Sequence, residues 1–173
     1  MIGESPTLPR IFQAIPLVIA QIPQVVFVCP SLQGDIESER WVDALGIRSK
    51  TRLWPHLSQA QLWMLFQKSQ VFVSPSVHDG TPNSLLEAMA CGCFPVVGNT
   101  ESMKEWLETG VNGLLVDATD AYSLAEAIVQ GINQPAMRKE AAKINARLIA
   151  ERAAYVPNMA RVEEFYKRVR LKK

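Results

Sequence analysis

The chain has 173 residues, 18 of them Lys or Arg and 17 Asp or Glu, for a formal charge of +1. That length suits one ordinary domain, able to bury about 70% of its unfolded surface without a disulfide or metal staple. The even charge balance excludes a general field for nucleic acid or anionic lipid, so any anion must be bound locally. Cys29, Cys91 and Cys93 are odd in number and lack ligand spacing. They fit neither a disulfide framework nor a zinc site, and read as buried thiols of a reducing, cytoplasmic compartment. Residues 11 to 29 are apolar-rich, but Pro16, Gln21, Pro23 and Gln24 interrupt them, which predicts a helix and a strand rather than a membrane span. No basic stretch of a signal peptide follows Met1.

In chain order, Pro9 to Ile22 predicts a first helix, imperfect because of Pro16, and Val25 to Cys29 a short buried strand stopped by Pro30. Ile36 to Leu45 repeats apolar residues at helical spacing (Ile36, Trp41, Leu45), carries Asp35, Glu37 and Glu39 at its positive dipole end, and closes at Gly46. Lys50 to Trp54 is a weak strand ending at Pro55. Ser58 then caps an amphipathic helix with Leu62, Leu65 and Phe66 toward the sheet, and a strand follows at 71 to 74. Further on, Phe94 to Val97 predicts a strand, Ser102 a cap for the helix holding Glu105 and Trp106, and Leu114 to Val116 another strand. Asp120 or Ser123 starts a helix to about Ile132, Pro135 opens a long charged helix to about Ala154, and Met159 to Val169 makes the last helix after Pro157. The alternation predicts an α/β fold with a doubly wound parallel sheet and right-handed crossovers.

The segment from Pro75 to Gly98 carries the chemistry. Its polar loop begins at a strand's carboxyl end, and His78-Asp79-Gly80-Thr81-Pro82-Asn83 is rich in turn-formers that let the backbone approach a ligand. From Ser84 the pattern turns helical. The unpaired N–H groups and dipole at residues 83 to 86 suit a phosphate without needing a lysine. Open α/β sheets bind ligands at such strand-loop-helix junctions. Asp79 and Glu87 can converge on one polyol, but Ser84-Leu85-Leu86-Glu87 also fits a capping box, and Asp79-Gly80 is an ordinary turn dipeptide. Spacing alone leaves these readings open.

The run Asp79-Gly80-Thr81-Pro82-Asn83-Ser84-Leu85-Leu86-Glu87, then Ala88-Met89-Ala90-Cys91-Gly92-Cys93-Phe94-Pro95-Val96-Val97, closely resembles the C-terminal, donor-binding domain of the family 4 (group 1) glycosyltransferases. That family has the GT-B architecture of two Rossmann-like domains facing a cleft. Its signature is an acidic residue, seven residues, Glu, a small-residue helix, Gly and a Pro-Val-Val strand. The resemblance continues through Glu105-Trp106, Gly110-Val111-Asn112-Gly113-Leu114-Leu115-Val116 and Leu124-Ala125-Glu126-Ala127-Ile128. Asp79 stands where Glu is usual, and Glu101-Ser102 where Gly-Gly is usual.

The resemblance implies that residues 1–173 form one half of a GT-B fold, a Rossmann-like nucleotide-sugar (donor) domain, with the stretch that usually opens it lying before Ser5. Its final helix, about 159–171, would cross to a missing N-terminal domain. The implied reaction is retaining transfer from a nucleotide-diphosphate sugar to an acceptor sugar, lipid or polysaccharide, with no metal and no cofactor. Asp79 takes the catalytic position. Gly80, Thr81 and Pro82 lie against the donor sugar, Asn83, Ser84 and Leu85 hold the diphosphate, and Glu87 binds the ribose. The base packs near Trp54-Pro55-His56-Leu57. His56 and His78 also read as plain turn and loop residues, and Trp41, Trp63 and Trp106 as core or domain-packing residues. The run Lys167-Arg168-Arg170-Lys172-Lys173 reads as a solvated helix end, or as a contact to a membrane surface in the full-length protein. A sugar-nucleotide epimerase of the same architecture and a non-catalytic nucleotide-sugar-binding module are the alternatives.

Overall fold

A computed structural model of the chain describes residues 8–78, 80 and 82–170. Among these residues five short strands form: β1 (Phe27–Cys29), β2 (Thr51–Leu53), β3 (Val71–Ser74), β4 (Phe94–Gly98) and β5 (Leu114–Val116). All ladders are parallel, and they fall into two groups, β1-β2 and β3-β4-β5. Helices cover both faces, as a parallel sheet requires. The α/β class with parallel strands expected from the alternating pattern, and the Rossmann-like form implied by the resemblance, are observed, but the sheet is in two pieces.

The core is organised on β4, whose five residues are all buried. Side chains alternate along a strand, so successive residues feed opposite layers. Phe94 and Val96 face Leu124, Ala125 and Ile128 of α6 (Ala121–Asn133) and Ala14 and Val18 of α1 (Leu8–Gln21). Val97 packs on the other layer with Leu85 and Met89 of α4 (Asn83–Ala90), and with Met103 and Leu107. Each fully buried Leu or Phe here contributes about 1.5–3 kcal/mol relative to exposure. Phe12 and Ile15 on another side of α1 meet Val42 of α2 (Ile36–Ala44), while Phe66 of α3 (Gln59–Lys68) packs on Ala88 and Cys93. Packed against α4, α7 (Pro135–Arg152) is pinned by a buried amide pair: Asn112 Nδ2 donates to Asn145 Oδ1 at 2.9 Å, and Asn145 Nδ2 to the Asn112 carbonyl at 3.0 Å. The pair satisfies polar groups that would otherwise be costly in this core. The Arg152 guanidinium lies 4.4 Å from the Trp106 ring centroid, which gives Trp106 a packing role.

The element starts follow local chemistry. Asp35 Oδ2 accepts from Ser38 N–H at 2.8 Å, Ser58 and Gln61 form a full capping box, and Asp120 caps α6. Two predicted starts are corrected. Thr100, not Ser102, caps α5 (Glu101–Lys104), because its hydroxyl is the one placed three residues before the Met103 N–H. Glu105 is then the C-cap, and Trp106 lies past it. The last helix, α8 (Tyr155–Arg170), begins four residues before Met159 and takes Pro157 into its first turn, where a missing N–H costs no intrahelical bond. Its Tyr155, Met159, Val162, Phe165, Tyr166 and Val169 are exposed. Among the described residues no helix is long and apolar enough to cross a membrane.

One glycine sets the position of the polar loop after β3. A Cβ on Gly98 would sit 2.0 Å from the Ser76 carbonyl oxygen, so only glycine lets that loop lie against the end of β4. Gly98→Ala is therefore expected to destabilise the chain by about 1–3 kcal/mol, as overpacking against backbone does. Urea unfolding checks this, and an unchanged midpoint would show that the Ser76 backbone moves away freely.

Candidate functional site

Parallel pairing places the carboxyl ends of the strands, and the loops that follow them, along one edge of each sheet. The loops after β1 and β2 are knitted together there. Ser31 adopts a left-handed conformation (φ 66°), and its N–H donates to the Pro55 carbonyl at 3.2 Å. Leu32 and Gln33 N–H both donate to the Trp54 carbonyl, at 3.1 and 3.0 Å. Ser31 Oγ and His56 Nδ1 are 3.3 Å apart. The turn expected near a base is thus held from two sides, and His56 has a structural partner within it.

The β3-α4 junction supplies the anion-binding geometry. Pro82 is the N-cap of α4 with extended dihedrals (φ −75°, ψ 128°), and among the described residues no side chain caps the helix. Its first turn also contains no acidic residue, so the positive end of the dipole is not offset from within the helix. Asn83 and Ser84, the first two helical residues, have N–H groups with no intrahelical acceptor. Leu85 differs from expectation. Its N–H donates to the Pro82 carbonyl at 3.0 Å and its side chain is fully buried, so it tightens the turn from the core side instead of facing a ligand. Within residues 83 to 85, Asn83 and Ser84 therefore keep N–H groups without an intrahelical acceptor, and Leu85 does not.

Glu87 is not part of a capping box. Helix α4 begins before Ser84, and the Glu87 carboxylate accepts instead from Gln59 Nε2 at 3.0 Å. Gln59 is the first residue of α3, directly after Ser58 and the turn from 54 to 57. The pair therefore joins the α4 start to the α3 start at the sheet's carboxyl edge, with Glu87 half-buried and Gln59 exposed. Sequence reading missed Gln59. Its signal was its place one residue past a good cap, which puts it in a first turn at this edge.

Of the other expected site residues, Asp79 and Thr81 lie outside the described residues. Gly80 is exposed, and a Cβ there would have no heavy atom within 4 Å, so the space beside it is open. Pro82 is half-buried, while His78 and Asn83 are exposed. The structure thus brings Asn83, Ser84, Glu87 and Gln59 to one edge with the 54–58 turn. No group of three or more His, Cys, Asp or Glu that could hold a metal occurs among the described residues.

The family model described as "Glycosyl transferases group 1" matches residues 8–148. A D-inositol 3-phosphate glycosyltransferase of Thermobispora bispora is 28% identical over 137 residues, which is 79% of this chain and 31% of that protein. The chain thus spans about a third of that relative's length. Among solved structures, the C-terminal domain of a glycosyl transferase group 1 family protein from Francisella tularensis superimposes with a TM-score of 0.75 at 18% identity, covering 87% of this chain and 81% of that one. The Anabaena protein Alr3699/HepE, solved in complex with UDP-glucose, gives a TM-score of 0.80 at 20% identity, covering 91% and 44%. These two likenesses show the fold.

The three thiols are chemically quiet. Burial pushes Cys29 up to about 11 and Cys93 up to about 12, and the Cys93 thiol donates to the Phe66 carbonyl at 3.0 Å. Cys91 is raised by burial and by the neighbouring Glu87 charge. A thiol whose folded value is raised keeps its proton after the unfolded chain has lost its own near 9.0, so folding stability falls as pH rises from about 9 toward 11–12. Urea midpoints measured at pH 8, 9 and 10 are expected to decline across the last interval, and Cys93→Ser should flatten that decline. A decline of equal depth in the variant would assign it to other groups.

Proposed function

Because the chain belongs to the glycosyl transferases group 1 family, we propose that it is the donor-binding domain of a glycosyltransferase. It holds a nucleotide-diphosphate sugar at the α4 start for retaining, metal-independent transfer to an acceptor sugar, lipid or polysaccharide carried by a second, N-terminal domain. The observation that carries this reading is the Glu87–Gln59 contact, which sets a carboxylate of α4 beside the first turn of α3 at the edge where the loops converge. UDP-glucose bound to the Anabaena neighbour supports a nucleotide sugar as the ligand class. Nothing in the relatives described above supports the epimerase alternative.

The chemistry follows from the groups present. Asn83 and Ser84 N–H groups and the uncompensated α4 dipole attract the diphosphate. As the glycosidic bond to the diphosphate breaks, negative charge grows on the leaving oxygen, and fixed N–H donors stabilise that charge more than they do the intact donor. Glu87 accepts hydrogen bonds from the ribose hydroxyls, and Gln59 orients it. The 54–57 turn packs the base. Asp79 takes the catalytic position, with Gly80, Thr81 and Pro82 contacting the transferred sugar. The exposed apolar residues of α8 pack on the second domain and brace the closed cleft.

Glu87→Gln is expected to weaken nucleotide binding by about 1–2 kcal/mol, the scale of one charge-assisted hydrogen bond. Calorimetric titration of UDP, GDP and ADP reads this, and an unchanged affinity for whichever nucleotide binds would remove the ribose role. A chelator is expected to leave sugar transfer by a full-length protein unaltered, and its abolition would show that a metal neutralises the diphosphate. Residues 1–173 alone are expected to bind the donor weakly and to transfer nothing, because half a cleft cannot hold donor and acceptor in line. Transfer by this chain near the full-length rate would contradict the two-domain reading.

A further inference from the structure

The overall charge of +1 conceals a segregation of sign. Residues 1–134 hold 7 Lys or Arg against 13 Asp or Glu, a formal −6, whereas residues 135–173 hold 11 against 4, a formal +7. The basic part is the α7 and α8 pair, and its charges lie outside. Helix α7 buries Ala141 and Asn145 and packs Leu148 and Ile149 on the layer that holds α4. With 3.6 residues per turn, Lys139, Lys143 and Arg147, four apart, fall on the side directly opposite. All three are exposed, and the exposed Ala146 and Ala150 beside them let the long side chains stand above a low surface. Among the described residues Lys143 pairs with the exposed Glu140 at 2.7 Å, and Lys139 and Arg147 form no ion pair. Helix α8 buries no residue and carries Arg161 and Arg168 on one line, clear of its apolar side of Tyr155, Met159, Val162, Tyr166 and Val169.

We propose that the outward face of α7, formed by Lys139, Lys143 and Arg147, rests on an anionic membrane surface. Charge complementarity selects this partner. Lys and Arg near an anionic leaflet are attracted without a pocket, while the acidic remainder of the chain is repelled, so the two signs together turn α7 toward the surface. Arg161 and Arg168, next along the chain, add to the same field. Nucleic acid matches the face less well. The stripe offers no aromatic platform for base stacking, only alanines beside its cations, and the exposed carboxylates of Glu140 and Glu151 stand along its margin. The contact is one of surface charge, since among the described residues no helix is long and apolar enough to cross a membrane. It leaves the apolar side of α8 to the second domain of the proposed function.

Flotation of the 173-residue chain with phosphatidylcholine vesicles carrying about 30% phosphatidylglycerol tests this, beside vesicles of phosphatidylcholine alone. The chain is expected to bind the anionic vesicles in about 50 mM salt and at least about tenfold more weakly in about 300 mM. The triple variant Lys139→Gln, Lys143→Gln, Arg147→Gln is expected to lose at least about tenfold in affinity at low salt, with its unfolding midpoint unchanged. A second triple variant, Arg40→Gln, Arg52→Gln, Lys68→Gln, removes the same charge from exposed positions elsewhere and is expected to bind as the parent does. Equal losses in the two variants would make net charge the cause and overturn the proposal. Equal binding to the neutral vesicles would assign the contact to the apolar side of α8, and tighter binding of a single-stranded oligonucleotide would assign the face to nucleic acid. Either result, or no binding to anionic vesicles at low salt, overturns it as well.

Discussion

Parallel pairing is the constraint on which the rest of this structure depends. It forces each crossover to return along a helix, so the sheet is covered on both faces, and it gathers loop starts and helix N-termini on one edge. β4 anchors this arrangement. Its Phe94 and Val96 hold the α1/α6 layer and its Val97 holds the α4 layer, so α4 is oriented by the core before any ligand is considered. Leu85 shows the coupling most directly. It is the third residue of α4 and fully buried, and its packing fixes the direction in which the Asn83 and Ser84 N–H groups point.

The same alignment explains why the site needs few charged residues. A helix start with Pro82 at its N-cap and no acidic residues in its first turn carries a positive potential of backbone origin, and Gly98 lets the preceding loop lie close against the sheet end. In the proposed function Glu87 serves a different end of the ligand. One turn inside α4, it is tied to Gln59 and thereby to the turn from 54 to 57, itself stitched to the β1 loop through Ser31. Helix start, carboxylate and turn form one connected edge.

Much of this was legible in the sequence because the signals were local. Short β-branched runs closed by Pro, the cap at Ser58 and Pro135 at a first turn each depend on neighbours within a few residues, and each was found where it was read; of Asp120 and Ser123 the first is the cap, and Asp35, read as a dipole charge, is the cap of α2. The misreadings were competitions between near-equal local options. Thr100 and Ser102 are both hydroxyl caps, and only the Met103 N–H geometry separates them. Pro157 was read as a barrier, although a helix tolerates proline in its first turn. What was not legible was long-range. The Glu87 partner lies 28 residues away on another helix, and the division of the strands into β1-β2 and β3-β4-β5 depends on which strands pair, not on the propensity of any one run.

The central claim is that one edge of this chain reads a nucleotide diphosphate through the α4 start and Glu87. Amide chemical-shift mapping of the isotopically labelled 173-residue chain, titrated in turn with UDP, GDP and ADP, tests it most directly. The account predicts that at least one of the three shifts Asn83, Ser84 and the 54–57 turn together, while the α6 amides on the opposite layer of the sheet stay in place. Shifts confined to other surfaces, or none with any of the three nucleotides at millimolar concentration, would contradict it.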